Sequence, residues 1–336
     1  MKRMIDKNLR TVNYLRISVT DMCNLRCIYC RPKEGLSLFE RKEILTFEEI
    51  CSIVRYSVNL GIHKFRLTGG EPLARKGIES LVRCMAGVSG VEDLAMTTNG
   101  ILLKKYAVEL KNAGLSRINI SLDTLNAEKY SKITRGGSLE AVFSGIEEAK
   151  KVGFKNLKIN VVIMAGVNDD EIEEFAQLTI DKNIEVRFIE LMATRNKKKL
   201  KGASFFPVDM VVERIKRQWE TEPLLAKSGN GPAKRFRIIG SKGSLGFINA
   251  VSNPFCSNCN RLRLTSDGKL RSCLLKGGEV DIKPIIREQG ASIANRRIEF
   301  SDHQKEELCE AFYKVINMKP KAHEGSSDVV MSQVGG

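Results

Sequence analysis

The sequence predicts an α/β fold: a parallel sheet of six βα units, either open or curled into a partial barrel, followed by a smaller antiparallel module. Three observations predict it. From residue 15 to about 192, short runs rich in Ile, Val, Leu and Phe alternate with segments whose apolar residues recur at helical spacing. Beyond residue 200 the pattern changes, and one pair of runs flanks a Ser-Asp-Gly turn, a hairpin signal. The length of 336 residues can bury a core for one large or two ordinary domains.

The first strand is expected at Leu15–Val19. Thr46–Leu60 then reads as a helix: Thr46 and Glu49 make a capping box, Ile50, Ile53, Val54 and Val58 line one face, and Gly61 is the stop. Further strands are expected at Lys64–Thr68, Asp93–Thr97, Arg117–Leu122, Leu157–Ile163 and Glu185–Leu191, and Asn168 with Glu171 opens another helix. In such folds ligands sit at the C-terminal ends of the strands. The second module reads as antiparallel strands at Lys234–Ile239 and Leu245–Ala250, then a hairpin from Arg261–Thr265 to Lys269–Ser272. Helical patterns near Ile282–Glu288 and Asp302–Ile316 close it. The expected divisions are residues 1–200, 201–319 and a polar, aperiodic tail, 320–336, ending in Gly335-Gly336.

Lys and Arg number 55 against 40 Asp and Glu, a net charge of +15, so the surface attracts polyanions. Nucleic acid, an anionic membrane and a phosphorylated small molecule all qualify. Only 6% of residues are aromatic and no stacking platform is visible, which argues against single-strand nucleic-acid binding. Charges at Lys2, Arg3, Asp6 and Lys7 stand where a secretory leader would be apolar, and no run approaches 18 apolar residues. A cytoplasmic, membrane-free location is expected, and in that reducing setting the nine cysteines read as metal or redox sites rather than disulfides. Cys51, Cys84 and Cys309, beside apolar residues at helical positions, read as packing thiols. The basic stretch Arg195–Lys201 reads as a solvated loop.

Cys23, Cys27 and Cys30 form a C-x3-C-x2-C triplet just after the first strand. Structural zinc wants four closed ligands, whereas an iron–sulfur cluster held by three thiolates keeps one iron open for a small molecule. The second strand ends in Thr68-Gly-Gly-Glu-Pro, whose glycines let backbone approach a ligand closely. Cys256, Cys259 and Cys273 form a second set, C-x2-C-x13-C, with no Cys or His in residues 274–280 to complete a zinc ribbon. Between these cysteines, Arg261 and Arg263 share one face of a strand and suit oxyanions or phosphates.

The triplet, with Tyr29 inside it and Gly-Gly-Glu-Pro on the next strand, resembles the radical S-adenosylmethionine (SAM) superfamily. Further stretches narrow the resemblance: Arg16-Ile-Ser-Val-Thr-Asp, Thr97-Thr-Asn-Gly, Asn119-Ile-Ser-Leu-Asp and Arg187-Phe-Ile-Glu-Leu-Met, then the second cysteine set and the terminal Gly-Gly. In that order, from about Leu9 to Gly336, they resemble the GTP 3′,8-cyclase (MoaA) family of molybdenum-cofactor biosynthesis.

The resemblance implies a partial (βα)6 barrel closed by the C-terminal antiparallel β-rich module, two [4Fe–4S] clusters and SAM. Cys23, Cys27 and Cys30 would hold the SAM cluster, with Tyr29, Gly70, Ser121 and Met192 contacting SAM. Cys256, Cys259 and Cys273 would hold a second cluster whose open iron binds the guanine edge. Arg16, Arg66, Thr97, Lys158, Arg261, Leu262 and Arg263 match GTP-binding positions. A 5′-deoxyadenosyl radical would abstract the ribose 3′ hydrogen, giving 3′,8-cyclo-7,8-dihydro-GTP; no side-chain acid or base is assigned. An external one-electron donor and a downstream cyclic pyranopterin monophosphate synthase are implied partners, a homodimer is left open, and the Gly-Gly tail would promote SAM cleavage. A peptide-modifying radical enzyme would bring more C-terminal cysteines, and a zinc-ribbon nucleic-acid-binding protein would need a fourth ligand.

Overall fold

A computed structural model describes residues 4–155, 157–192, 204–225, 231–288, 292–294 and 297–323. Six parallel strands pair in chain order: β1 (Tyr14–Ser18), β2 (Lys64–Thr68), β3 (Asp93–Thr98), β4 (Arg117–Ser121), β5 (Leu157–Ala165) and β6 (Ile184–Glu190). Between them run α1 (Phe47–Asn59), α2 (Ile78–Ala86), α3 (Leu103–Asn112), α4 (Ala127–Thr134), α5 (Leu139–Lys151) and α6 (Ile172–Asp181), with two helices in the β4–β5 crossover. The capping box of α1 forms as its sequence requires. Thr46 Oγ1 accepts from the Glu49 backbone at 3.1 Å, and the Glu49 carboxylate accepts from the Thr46 backbone at 2.6 Å.

Most of the remaining strands do not stand apart. β7 (Ser204–Phe205) pairs with β5, and after α7 (Val208–Gln218) come β8 (Thr221–Pro223), β9 (Lys234–Ile238) and β10 (Ser244–Ile248). β10 lies parallel to β6 and antiparallel to β9. At the opposite edge, β11 (Arg261–Leu264) lies parallel to β1 and forms the expected hairpin with β12 (Lys269–Arg271), which pairs with β13 (Glu279–Asp281). The C-terminal strands thus extend both edges of one sheet, ordered from β13 through β11, β1 to β6, and β10 to β8. Among the described residues that path is not joined end to end, as a partial barrel requires. A ribbon of β14 (Ser292–Ala294) and β15 (Arg297–Glu299), with α8 (Lys283–Arg287) and α9 (Asp302–Asn317), completes the described chain. The Arg195–Lys201 stretch and Gly335-Gly336 lie outside the described residues.

The two faces of the sheet differ in chemistry. Leu15 and Ile17, Phe65 and Leu67, Leu94 and Met96, Ile118 and Ile120, and Val186 and Phe188 pack into one core with helix residues such as Ile50, Leu81, Leu110, Ile146 and Phe175. Their period-two alternates are Tyr14 and Arg16, Arg66, Thr97, Asn119 and Ser121, Lys158 and Asn160, and Glu185 and Arg187, which share the other face. A sheet with helices on both faces would show apolar residues at both sets of positions. Here one face is left for polar work.

One expectation is corrected. Cys51 on α1 and Cys84 on α2 are not separate packing thiols but a disulfide with a Cα–Cα distance of 6.4 Å. Consecutive helices on one flank of the sheet bring them together, a pairing that cysteine count and compartment argued against. Cys309, half-buried in α9, remains a thiol.

Candidate active site

The loop leaving the C-terminal end of β1 carries Cys23, Cys27 and Cys30. Several backbone contacts shape it. Cys30 and Arg31 amides both donate to the Cys27 carbonyl (2.9 and 3.0 Å), the Ile28 amide donates to Ile133, and Arg135 Nη1 caps the carbonyls of Arg26 and Arg31. On the other side, the amides of Gly70 and Glu71 donate to Thr20 and Met22 at 2.6 and 2.7 Å. The two glycines therefore serve the cysteine loop itself: a Cβ on Gly70 would sit 2.1 Å from the Met22 carbonyl oxygen.

Burial pushes the Cys27 thiol well up, with Cys30, Asp123 and Cys23 adding to it. Grouped thiols that resist ionisation individually lose their protons to a bound cation or cluster. Three sulfurs on one loop fit an iron–sulfur cluster with an open iron, and this donor set has no fourth member to close a zinc site. Tyr29 donates its hydroxyl to Asp123 at 2.7 Å, and Asp123 also accepts from the Val162 amide at 2.9 Å. Burial raises the Asp123 carboxyl to about 6. Glu71, raised by burial to about 7, accepts from Leu73, Thr98 and Asn99 and ties the ends of β2 and β3 together. Ser121 ends β4 and Met192 follows β6, so both stand with Gly70 at the same C-terminal end of the sheet.

The second cysteine set lies at the opposite end. Cys259 sits two residues before β11, whose first residue, Arg261, is beside Tyr14, the first residue of β1. Cys273 follows β12, which returns antiparallel to that level. The five residues of β1 separate the two ends by about 16 Å. The C-terminal-end rule therefore holds for the first set and not for the second. Burial raises the Cys256 thiol, whereas at Cys259 burial is outweighed by Lys319 and Arg261, which favour the thiolate. Three half-buried sulfurs again fit a cluster with one open iron.

Between the ends runs a band of cations. Arg16 is in register with Arg66 on β2 and with Arg263 on β11, and Arg263 with Arg271 on β12. Burial depresses Arg16 well below the usual guanidinium range, with Arg263 adding to it, and brings Arg263 to about 10 with help from Arg261. Arg66 donates to Tyr14 and, at 3.2 Å, to Thr97 Oγ1. Leu262 shows no exposed surface and joins the apolar core, so toward this face it offers only backbone. Lys158 is held by Glu185 at 2.8 Å, and Arg187 and Arg235 converge on the same carboxylate. Burial favours a neutral Glu185, yet Arg187 and Lys158 hold it at about 2. On the same face Asn119 Oδ1 and Asn160 Oδ1 are buried without a hydrogen-bond partner among the described residues. Such a face suits a polyanion with additional polar groups.

Comparison with known proteins agrees with this layout. Residues 17–179 match the model of the Radical SAM superfamily, and residues 184–325 that of Molybdenum Cofactor Synthesis C. A GTP 3′,8-cyclase of Alkaliphilus oremlandii (strain OhILAs) is 45% identical over 341 residues, covering 99% of this chain and 100% of the relative. The chain belongs to the GTP 3′,8-cyclase family. Another member of the cyclase family, from Thermodesulfovibrio yellowstonii, is 46% identical over 336 residues, covering 99% and 100%. The fold is shared more widely: Streptococcus suis SuiB bound to S-adenosylmethionine superposes with a TM-score of 0.55 at 14% identity, over 91% of this chain and 68% of that one.

In this member of the cyclase family, sequence reading did not single out Glu71, Asp123, Glu185 or Lys319. Glu71, Asp123 and Arg187 lay inside recognised motifs without an assigned role. Glu185 carried a usable signal, an acid on the polar face of a strand beside Lys158, since a buried ammonium requires a partner.

Proposed function

We propose that this protein converts GTP to 3′,8-cyclo-7,8-dihydro-GTP, the first step of molybdenum-cofactor biosynthesis. Cys23, Cys27 and Cys30 hold one [4Fe–4S] cluster, and Cys256, Cys259 and Cys273 hold the other. The observation that carries this reading is the placement of two three-thiol sets at opposite ends of a strand face lined by Arg16, Arg66 and Arg263. A [4Fe–4S] cluster held by Cys23, Cys27 and Cys30 would supply the one-electron reduction that splits SAM into methionine and a hydrogen-abstracting 5′-deoxyadenosyl radical; with the ribose 3′ hydrogen gone and C3′ joined to guanine C8, one further electron, from the external donor, and a proton would complete the dihydro product.

The chain's own residues place the reactants. Arg16, Arg66, Arg261 and Arg263 counter the triphosphate, Thr97 orients Arg66, and the Leu262 backbone lines the nucleotide. Lys158, lowered by burial and by Arg187 to about 8 and paired with Glu185, adds charge from the far side. At the C-terminal end, Gly70, Ser121 and Met192 receive SAM; Tyr29, its hydroxyl engaged by Asp123, offers ring and backbone. Residues 1–200 generate the radical and 201–319 hold the substrate cluster, and the terminal Gly335-Gly336 promotes SAM cleavage. The enzyme works in the cytoplasm with an external one-electron donor and passes its product to cyclic pyranopterin monophosphate synthase, and a homodimer is compatible with this scheme. Among the described residues no helix is long and apolar enough to cross a membrane.

The test is anaerobic reconstitution followed by reduction with SAM and each nucleoside triphosphate. About eight irons per chain, and 5′-deoxyadenosine with a cyclised nucleotide from GTP alone, are expected. Equal product from ATP, or none from GTP, would overturn the assignment.

A further inference from the structure

We propose that Lys319 is the cationic partner of the second cluster: its ammonium steadies the Cys259 thiolate and the backbone around both cysteine strands, and raises the cluster's readiness to accept an electron. This rests on the reading of Cys256, Cys259 and Cys273 as cluster ligands.

Lys319 stands two residues after α9 and is 2% exposed, among the largest fully buried side chains of the protein. Its Nζ lies 3.3 Å from Cys259 Sγ, 2.7 Å from the Arg261 carbonyl and 3.0 Å from the Ser272 carbonyl. An ammonium has three hydrogens, and these three acceptors use all of them. Arg261 follows Cys259 by two residues and Ser272 precedes Cys273, so one side chain ties together the strands that carry two ligands.

No carboxylate among the described residues pairs with Lys319. Burying an ammonium against neutral acceptors alone is costly, so its counter-charge comes from sulfur: the Cys259 thiolate and the anionic cluster behind it. The position is built from several sides. Arg10, paired with Asp6, donates to the Cys256 carbonyl at 2.7 Å and to the Lys319 carbonyl at 3.4 Å. Ser272 Oγ donates to the Met318 carbonyl at 3.4 Å. The Met318 side chain, next to Lys319, packs against Gly278, where a Cβ would lie 2.2 Å from its Sδ.

Hydrogen bonds and charge at ligand sulfurs are among the levers that set a cluster's potential, and a fixed cation favours the more negative, reduced state. The test uses the full chain with Cys23, Cys27 and Cys30 each changed to Ala, so that only the second cluster assembles. Lys319→Met and Lys319→Arg are made in that background, with Lys319→Gln as a second neutral variant should Met prevent folding, which thermal unfolding reports. The readouts are the midpoint potential followed by electron paramagnetic resonance and the rate of iron release to EDTA. The neutral variant is expected to shift the midpoint to more negative values and to release iron several-fold faster, with Arg restoring most of both. An unchanged midpoint and release rate, or equal impairment by Met and Arg, would overturn the proposal. A parent that assembles no second cluster would remove the cluster assignment and this proposal together, whereas a parent cluster indifferent to Lys319 removes only the latter.

Discussion

Gly70 lies against Met22 so closely that a side chain has no room: a Cβ there would be 2.1 Å from the Met22 carbonyl oxygen and 2.7 Å from that of Asp21. The Glu71 amide donates to the same Met22 carbonyl at 2.7 Å. The end of β2 and the first cysteine loop are therefore one hydrogen-bonded unit, and displacing either displaces both. Gly69 repeats the arrangement against Thr20, at a φ of +152°.

Gly70→Ala should accordingly damage the first cluster while sparing the second. The obstructing atoms are backbone, so the loop must move, at about 1–3 kcal/mol for overpacking of this kind. Iron per reconstituted chain is expected to fall from about eight toward about four, with a lower thermal midpoint. Full iron content and unaltered SAM cleavage in this variant would show that the loop tolerates the shift.

Much of this architecture was legible because its signals are local. Thr46 and Glu49 announce the start of α1, and the apolar alternates of β1 to β6 announce the strands. The cysteine spacings and Gly69-Gly70 likewise mark their loops without help from the rest of the chain. What escaped depends on tertiary placement. The pairing of β11 with β1 and of β10 with β6 joins residues far apart in sequence, and it alone puts Cys259 at the opposite end of the strands from Cys23. Lys319 follows α9, and nothing local distinguishes it from a solvated lysine. The Cys51–Cys84 pairing is of the same kind: helix spacing shows that each cysteine is internal but not which neighbour it faces.

Arg263→Ala should weaken GTP far more than SAM. Arg263 is buried beside Arg16 in the cation band, two residues along β11 from Arg261 at the end where the second cysteine set lies. Losing a charge-assisted contact of about 1.5–3 kcal/mol corresponds to about 10- to 100-fold in nucleotide affinity. Isothermal titration with GTP and, separately, with SAM checks this; unchanged nucleotide affinity would take Arg263 out of the site.

Glu185→Gln should destabilise the chain by about 3–5 kcal/mol, because Lys158, Arg187 and Arg235 would lose the carboxylate on which they converge. The pH dependence has a definite sign. Glu185 is held at about 2, below its ordinary 4.5, so its contribution is complete above about 4.5 and is lost as pH falls toward about 2. Urea unfolding of wild type and variant should therefore differ most at neutral pH and converge under acid. A gap that stays constant down to pH 3 would assign the effect to packing instead of charge.

The Cys51–Cys84 bridge makes a prediction that separates it from the six candidate cluster ligands. It joins cysteines 33 apart in sequence, enclosing the whole of β2 and Gly69-Gly70, and it links α1 to α2 behind them. Closing a loop of that length contributes about 3–4 kcal/mol in the chain-entropy account. In cluster-free, denatured protein, seven thiols should alkylate before reduction and all nine after it, the additional pair mapping to Cys51 and Cys84. Cys51→Ala/Cys84→Ala should lower the thermal midpoint by several degrees, while each cysteine set keeps its iron, since neither sulfur belongs to a set. Nine reactive thiols before reduction would mean that the two cysteines pack as separate thiols. A double variant that also lost first-cluster iron would mean that the α1–α2 link holds the Gly70–Met22 contact in place, because that contact is the route by which a shift of β2 reaches the cysteine loop.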